Sequence, residues 1–295
     1  MGMGQPRQLV RGGNFVISRR ADHRALRLRP GYETNQILRY CLAHAAQTYG
    51  VRLIAFVAMG NHYHLLAQDV EELMPKFLKL LNMLSAKALN YSQKKWGNLW
   101  AAEPASMVRL PTLDDVVNQV AYLAANPVEA GLVRSPVDWP GVLHWLPGEQ
   151  TVKRPAFFSA KMPAELELEF VQPLNSSDTP AQWEARIRAA VMERVCASRQ
   201  RIRNAGRRFL GVKQVLKMPI ERRATSFEHR RVLRPRFAAQ DVEQRIECIR
   251  QHKAFQAAYR VALKAWKLGN RLVAFPEGTW WMRVHHGAAV TPLPV

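Results

Sequence analysis

Two histidines stand one residue apart in "MGNHYHLL", Met59 to Leu66. On a strand, residues two apart face the same way, so His62, His64 and Leu66 share one face and Tyr63 and Leu65 the other. Two imidazoles projecting from adjacent pleats can hold one divalent ion, and two ligands alone hold it weakly. The plainer alternative is a pair of hydrogen-bonded histidines near a hairpin end, and a His-x-His pair by itself does not separate the two. A third ligand and a reacting group have to come from elsewhere in the chain.

The helix predicted after Pro111 supplies candidates for both. Thr112 can cap its start with Asp115 at the third helical position, an approximate capping box. Leu113, Val116, Val117, Val120, Leu123 and Ala124 recur at helical spacing and form its buried stripe. Tyr122 falls off that stripe and aligns with Asp115, Asn118, Gln119 and Asn126. Asn126 precedes Pro127, which predicts that the helix ends there with the amide free to point at a ligand. Tyr122 and Asn126 therefore share one side of one helix terminus. A surface tyrosine beside a helix-ending asparagine is the alternative.

Several elements must position these residues. "NFVIS" (residues 14–18) is β-prone, and apolar residues at helical spacing predict a helix from Glu33 to Tyr49, closed by Gly50. "VRLIAFVAM" and "HYHLLAQ" read as strands joined by Gly60-Asn61, a two-residue hairpin loop with glycine first. A long helix follows from about Leu73 to Lys95, then a weak strand, "SMVRL". This order predicts an α+β fold, an antiparallel sheet covered by two helices. Trp, Pro and Gly cluster in "DWPGVLHWLPGEQ", which divides a first domain (residues 1–147) from a second part (148–295). The second part reads as mainly helical and basic, with a short strand within "FFSAKMPAELELEFVQPL" and helices over Trp183–Arg208 and Ala239–Leu268.

Charge narrows the partners. The chain has 295 residues, with 43 Lys+Arg against 23 Asp+Glu, a net charge of +20. A field of that sign draws in polyanions, of which nucleic acid is the usual one. Between Arg186 and Arg250 alone, basic residues outnumber acidic ones by twelve. Arg186, Arg188, Arg194, Arg199, Arg201, Arg203, Arg207 and Arg208 are read as a phosphate-binding surface, with a solvated helix face as the alternative. Trp183, Trp266, Trp280 and Trp281 are read as core rather than as stacking platforms, and His285 and His286 as surface. Cys41, Cys196 and Cys248 make no paired pattern, which suits a reducing compartment. No apolar run is long enough to span a membrane and no signal peptide is evident, so an unexported protein without a membrane partner is expected.

Two motifs together resemble the HUH single-tyrosine nucleases, in particular the REP-associated tyrosine transposases. The family's usual M-P-N-H-x-H-L-L is matched by "MGNHYHLL", with Gly60 for the proline, and its Y-[IV]-x-x-N-P-V-x-A-G-L-V by "YLAANPVEAGLV". "KKWGNLW" between them is similar to the family's segment ending G-x-L-W, although "AAEPAS" then replaces the usual polar, basic run. The resemblance covers about Leu9 to Trp145; "RPAFF", "FLGVKQVL" and "FPEGTWWMR" are similar to the extension of larger members.

The resemblance implies a ferredoxin-like antiparallel sheet with helices on one face, which cuts and rejoins single-stranded or hairpin DNA. It implies that His62, His64 and Asn126 hold Mg²⁺ or Mn²⁺, and that Tyr122 attacks phosphorus to leave a 5′-phosphotyrosine and a free 3′-hydroxyl. Conserving the phosphodiester energy in that bond removes the need for ATP, and the chain carries no G-x-x-x-x-G-K-[ST] loop. The basic residues expected on DNA are Arg19, Arg20, Lys94, Lys95, Arg199, Arg203, Arg207 and Arg208. The place of action it implies is the bacterial cytoplasm, at the nucleoid. Relatives of this kind act as dimers or monomers, so a homodimer stands among the expected partners.

Two other functions remain open on the sequence. One is a non-catalytic DNA-binding protein on a domesticated transposase fold. The other is a metal-dependent hydrolase of small phosphoesters, which the charge disfavours.

Overall fold

A computed structural model describes residues 6–225 and 235–291, so residues 226–234 of the basic stretch lie outside the described residues. The chain opens with strand β1 (Gly13–Arg20), helix α1 (Tyr32–Tyr49) and strands β2 (Arg52–Ala58) and β3 (His62–Asp69). Helix α2 (Met74–Ser92) and strand β4 (Ser106–Leu110) follow. This β-α-β-β-α-β order builds a sheet with strands arranged β4-β1-β3-β2, the ferredoxin-like arrangement, and every pairing is antiparallel. A two-residue strand, β5 (Leu143–His144), extends the sheet beyond β2. The sequence carries no β signal there; pairing with Phe56 and Val57 alone makes it a strand.

The alternation of residues along the strands decides what each face covers. Phe15 and Ile17 on β1, Phe56 on β2 and Tyr63, Leu65 and Ala67 on β3 pack with Ile37, Leu38 and Cys41 of α1 and Phe77 and Leu81 of α2. These two helices occupy one face, as the sequence implies. The opposite face is not left bare. Val16, Val57 and Leu66 turn towards helix α3 (Leu113–Glu129), which is itself covered by helix α4 (Pro180–Asn204) through Trp183, Ile187, Val191 and Val195. A β-bulge between Leu53 and Ala55 resets the alternation in β2, so that Leu53 joins the first core and Ile54 and Ala55 the second.

Residues beyond 147 contribute to both cores. Strands β6 (Gly148–Lys153) and β7 (Glu165–Phe170) form a hairpin whose inward Val152, Leu166, Leu168 and Phe170 pack with the α1 side. Tyr40 ties α1 to that hairpin by donating its hydroxyl hydrogen to the Pro163 carbonyl at 2.7 Å. After the short α5 (Val212–Lys217) come the long α6 (Val242–Lys267) and the short α7 (Trp280–His286), with their own small core of Ala262, Phe275, Met282 and Ala288. Trp183 is buried, as expected, but Trp281 is 57 % exposed, so the core reading fails for it. His285 and His286 are exposed, and they sit on a helix rather than a strand.

Two local expectations are corrected. Pro127 does not end α3: the helix runs on to Glu129, and the Ala130 N–H donates to the Asn126 carbonyl at 3.0 Å. Asn126 is thus within the last turn rather than past it, because the packing of α3 between the sheet and α4 overrides the bias of a pre-proline residue. The β2–β3 hairpin forms at Gly60-Asn61, closed by Met59 N–H donating to the His62 carbonyl at 2.8 Å. Gly60 is not in the left-handed region, however. What the position asks for is space, since a Cβ there would stand 3.0 Å from the Leu26 side chain.

Candidate active site

The two elements that carry the candidate residues, β3 and α3, meet on the second face of the sheet. His62 and His64 lie on β3 opposite Arg20 and Ser18 of β1, and their rings are 4.8 Å apart, nearly edge to face. The His64 ring is 5.5 Å from the Tyr122 ring at an interplanar angle of 67°. Asn126, one turn further along α3, is only 8 % exposed and lies near enough to Tyr122 to lower the pKa of its phenol. Four residues that are adjacent in pairs along the chain are therefore one cluster in space. The capping box that starts α3 is present: Asp115 N–H donates to the Thr112 hydroxyl at 3.1 Å and Thr112 N–H to the Asp115 carboxylate at 3.2 Å.

Neighbours orient both imidazoles. His62 Nδ1 lies 2.7 Å from Asn61 Oδ1, which can only accept, so Nδ1 carries the proton and Nε2 keeps its lone pair. His64 Nδ1 lies 2.6 Å from Ser18 Oγ, which can accept the same kind of bond. Both rings stay neutral well below the ordinary histidine range. Burial, then the charges of Arg20 and Arg24, hold His62 down to about 4, and burial, then His62 and Arg20, hold His64 down to about 3. Neutral imidazoles with Nδ1 engaged are the form that ligates metal. Among the described residues, no group of three or more His, Cys, Asp and Glu could hold a metal ion. A metal would therefore rest on the two histidines with the Asn126 amide, a donor set that fits a divalent ion with further positions left for water or phosphate.

Tyr122 is half-buried, and burial raises its pKa above the ordinary value. Asn126 opposes that rise, Glu129 adds to it, and Arg194 opposes it. The Arg194 guanidinium carbon sits 5.1 Å from the Tyr122 ring centroid while its Nε donates to Glu129 at 2.6 Å. The ring is thus held between a histidine and an arginine.

Two clefts flank the cluster. One, of about 390 Å³, is lined by His62, Asn126 and Asn61 together with Arg20, Arg24, Arg29, Arg222 and Arg223, and among the described residues by no carboxylate. The other, of about 300 Å³, has Tyr122, Arg194, Asp115, Asn118 and Gln119 on its walls.

The other basic residues read from the sequence are dispersed. Arg20 faces the histidine cleft, but Arg19, one residue earlier, points to the opposite side, where it lies over Trp100 and donates to the Glu103 carbonyl. Lys94 is exposed in the turn after α2, and Lys95 is paired with Glu221 at 2.8 Å. Arg199 donates to the Arg134 carbonyl at 2.8 Å, and Arg203 contacts Gln200 at 3.4 Å within α4. Arg207 lies against Gly131, just past α3, and Arg208 is exposed beside it. Further up α4, Arg186 pairs with Asp114 and Asp178, and Arg188 with Glu184. Much of this basic helix is spent on docking to α3 and on its own neighbours.

Residues with no sequence signal complete the site. Ser18 reaches His64 only through strand register, and Arg222 and Arg223 reach the cleft from the far end of the chain.

No family model matches this sequence, and no curated protein matches it. Solved structures similar to it include the following two. One is a REP-associated tyrosine transposase bound to a REP hairpin, with 18% identity and a TM-score of 0.40 over 48% of this chain and 81% of that one. The other is a protein of Deinococcus radiodurans R1, provisionally assigned as a transposase, with 21% identity and a TM-score of 0.29 over 40% of this chain and 92% of that one.

Proposed function

We propose that the chain is a transposase-type nuclease that cuts and rejoins single-stranded or hairpin DNA through Tyr122. The observation that carries this is the approach of Tyr122 to His64, 5.5 Å between rings on a helix and a strand far apart in sequence. Around that approach stand an arginine-lined cleft and a net charge of +20, both suited to a polyanion. The two rings come from one chain, so the reading requires no second subunit to deliver the nucleophile. A homodimer remains compatible with it, and the place of action is wherever genomic DNA is open, the cytoplasm and its nucleoid.

The Tyr122 hydroxyl oxygen forms the new bond to phosphorus while the bond from phosphorus to the 3′ oxygen breaks. The 3′ oxygen takes up one proton as the phenol gives one up, so charge and protons balance without ATP. Asn126 and Arg194 both favour the developing phenolate, Asn126 from one helical turn on and Arg194 from the ring face. Asn61 and Ser18 engage Nδ1 of the two imidazoles, which leaves Nε2 of each as the atom to ligate. A divalent ion, Mg²⁺ or Mn²⁺, held by His62, His64 and Asn126 would supply Lewis-acid polarisation of the phosphate. Rejoining is the same displacement run backwards with another 3′-hydroxyl.

The raised pKa of the half-buried Tyr122 favours the second reading, a DNA-binding protein on this fold without chemistry. One experiment separates them. The full chain is incubated with labelled hairpin DNA carrying single-stranded flanks and Mn²⁺, then run on a denaturing gel. A covalent protein–DNA adduct that is absent in Tyr122→Phe supports the nuclease; binding with no adduct supports the module.

A further inference from the structure

We infer that the segment at residues 218–225, from the second part of the chain, forms a wall of the histidine cleft and that Arg222 and Arg223 bind backbone phosphates of a single DNA strand there. The inference rests on reading the His62 cleft as the place where the strand lies, and it gives this part of the chain a task.

The placement of the segment is specific. The Leu26 N–H donates to the Arg222 carbonyl at 2.9 Å, and the Ala224 N–H donates to the Arg24 carbonyl at 3.3 Å. Arg29 donates to the Met218 carbonyl at 2.9 Å. The segment is thereby stitched to residues 24–29, which lead from β1 towards α1, and it faces His62 and Asn126 across the cleft. Its one acid, Glu221, is drawn off by Lys95 at 2.8 Å and does not line the cleft.

The chemistry of the wall selects the ligand. Among the described residues, five arginines and no carboxylate line the cleft, an arrangement that repels cations and draws in anions. Guanidinium groups match phosphate oxygens in a planar fork, which suits repeated phosphodiesters better than a single carboxylate. Arg222 and Arg223 are exposed, so they can reach a ligand without first breaking a buried contact. On the facing turn, His23 and Arg24 both take left-handed backbone angles, φ 50° and 57°, which non-glycine residues adopt at some cost. Strain of that kind persists where the surroundings enforce it, and here it is the turn that carries Arg24 into the cleft. A strand held by this wall would run past His62 and Asn126 at the floor.

The test measures binding apart from chemistry. Full-length protein and its Arg222→Gln/Arg223→Gln variant are titrated by fluorescence anisotropy against a labelled hairpin with a single-stranded flank, in EDTA, across a range of salt concentrations. Two lost phosphate contacts should weaken binding tenfold or more and make the slope of log K against log salt shallower by about 1.4, at about 0.7 per contact on a single strand. The Arg222→Lys/Arg223→Lys variant should keep most of the slope. The charge-matched Lys253→Gln/Arg260→Gln variant, altered on the exposed face of α6, should bind within about twofold of the original. Equal affinity and slope for the arginine-to-glutamine variant, or equal losses in the α6 control, would overturn the inference, as would a failure of the unaltered chain to bind the strand. Because no step needs Tyr122, loss of binding in the arginine variant without any covalent adduct from the unaltered chain would leave the phosphate wall standing and remove the nuclease reading instead.

Discussion

Tyr122 meets His64 ring to ring at 5.5 Å, and the contact is made by packing between regular elements rather than by a loop. Val120 and Val116 of α3 lie in the same core as Leu66 and Val57 of the sheet, so the helix cannot turn about its axis without disturbing buried side chains. A pair held this way keeps its spacing because rigid elements on both sides fix it.

The first prediction follows from the hydroxyl alone. Tyr122→Phe removes one oxygen from a half-buried ring and leaves its contacts with His64 and Arg194 in place. Nicking of hairpin DNA should fall by about 10³-fold or more while affinity in EDTA and Tm stay near the original. Retention of nicking in this variant would assign the nucleophile elsewhere.

A second prediction concerns the residues that aim the imidazoles. Asn61→Ala takes away the acceptor for His62 Nδ1, and Ser18→Ala the partner of His64 Nδ1. Each should reduce Mn²⁺-dependent nicking about 10- to 100-fold, with the Mn²⁺ titration moved to higher concentration. Unchanged metal dependence in both variants would mean that the rings need no such support.

How far the sequence discloses the site depends on which contacts are local. His62, His64, Tyr122 and Asn126 are legible because strand and helix periodicity put each pair on one face, and the capping box at Thr112 is legible because all its atoms lie within four residues. Ser18 is not, since only the register of β1 against β3 places it beside His64. Arg222 and Arg223 lie a hundred residues past Tyr122 in a stretch without periodicity, and their position depends on backbone bridges to residues 24–26. The pre-proline rule misplaced the end of α3 because it weighs a local preference that a buried helix overrides. An antiparallel sheet covered by two helices was accessible from the element order, and its ferredoxin-like form from the family resemblance; α4 as the cover of its second face was not, because its basic composition concealed the apolar residues Trp183, Ile187, Val191 and Val195.

The start of α3 offers a stability test separate from activity. Thr112→Ala deletes the cap that accepts the Asp115 N–H and should cost about 1 kcal/mol, lowering Tm by about 2–4 °C. A Tm equal to the original would show that the cap contributes nothing measurable.

His144 makes the pH dependence calculable in sign. Burial, then the charge of Arg39, holds its pKa down to about 4, and its ring stacks on Phe170 at 4.6 Å. An unfolded histidine takes its proton near 6.5. Between about pH 6.5 and 4 the unfolded chain therefore binds a proton that the folded one refuses, so stability falls as pH falls through that window and levels off below it. His144→Gln should flatten the Tm-against-pH curve within that window and leave it parallel to the original above pH 7. Curves that stay parallel throughout would show that the ring is not held neutral.

The seating of α4 over α3 has a consequence for how the protein is made. Trp183, Ile187, Val191 and Val195 close over the helix that bears Tyr122, and Arg194 reaches the ring from the same helix. On the ribosome, the tyrosine emerges long before its lid does. A half-synthesised chain therefore presents the Tyr122 helix with an uncovered apolar face, and that helix is sealed only late in translation.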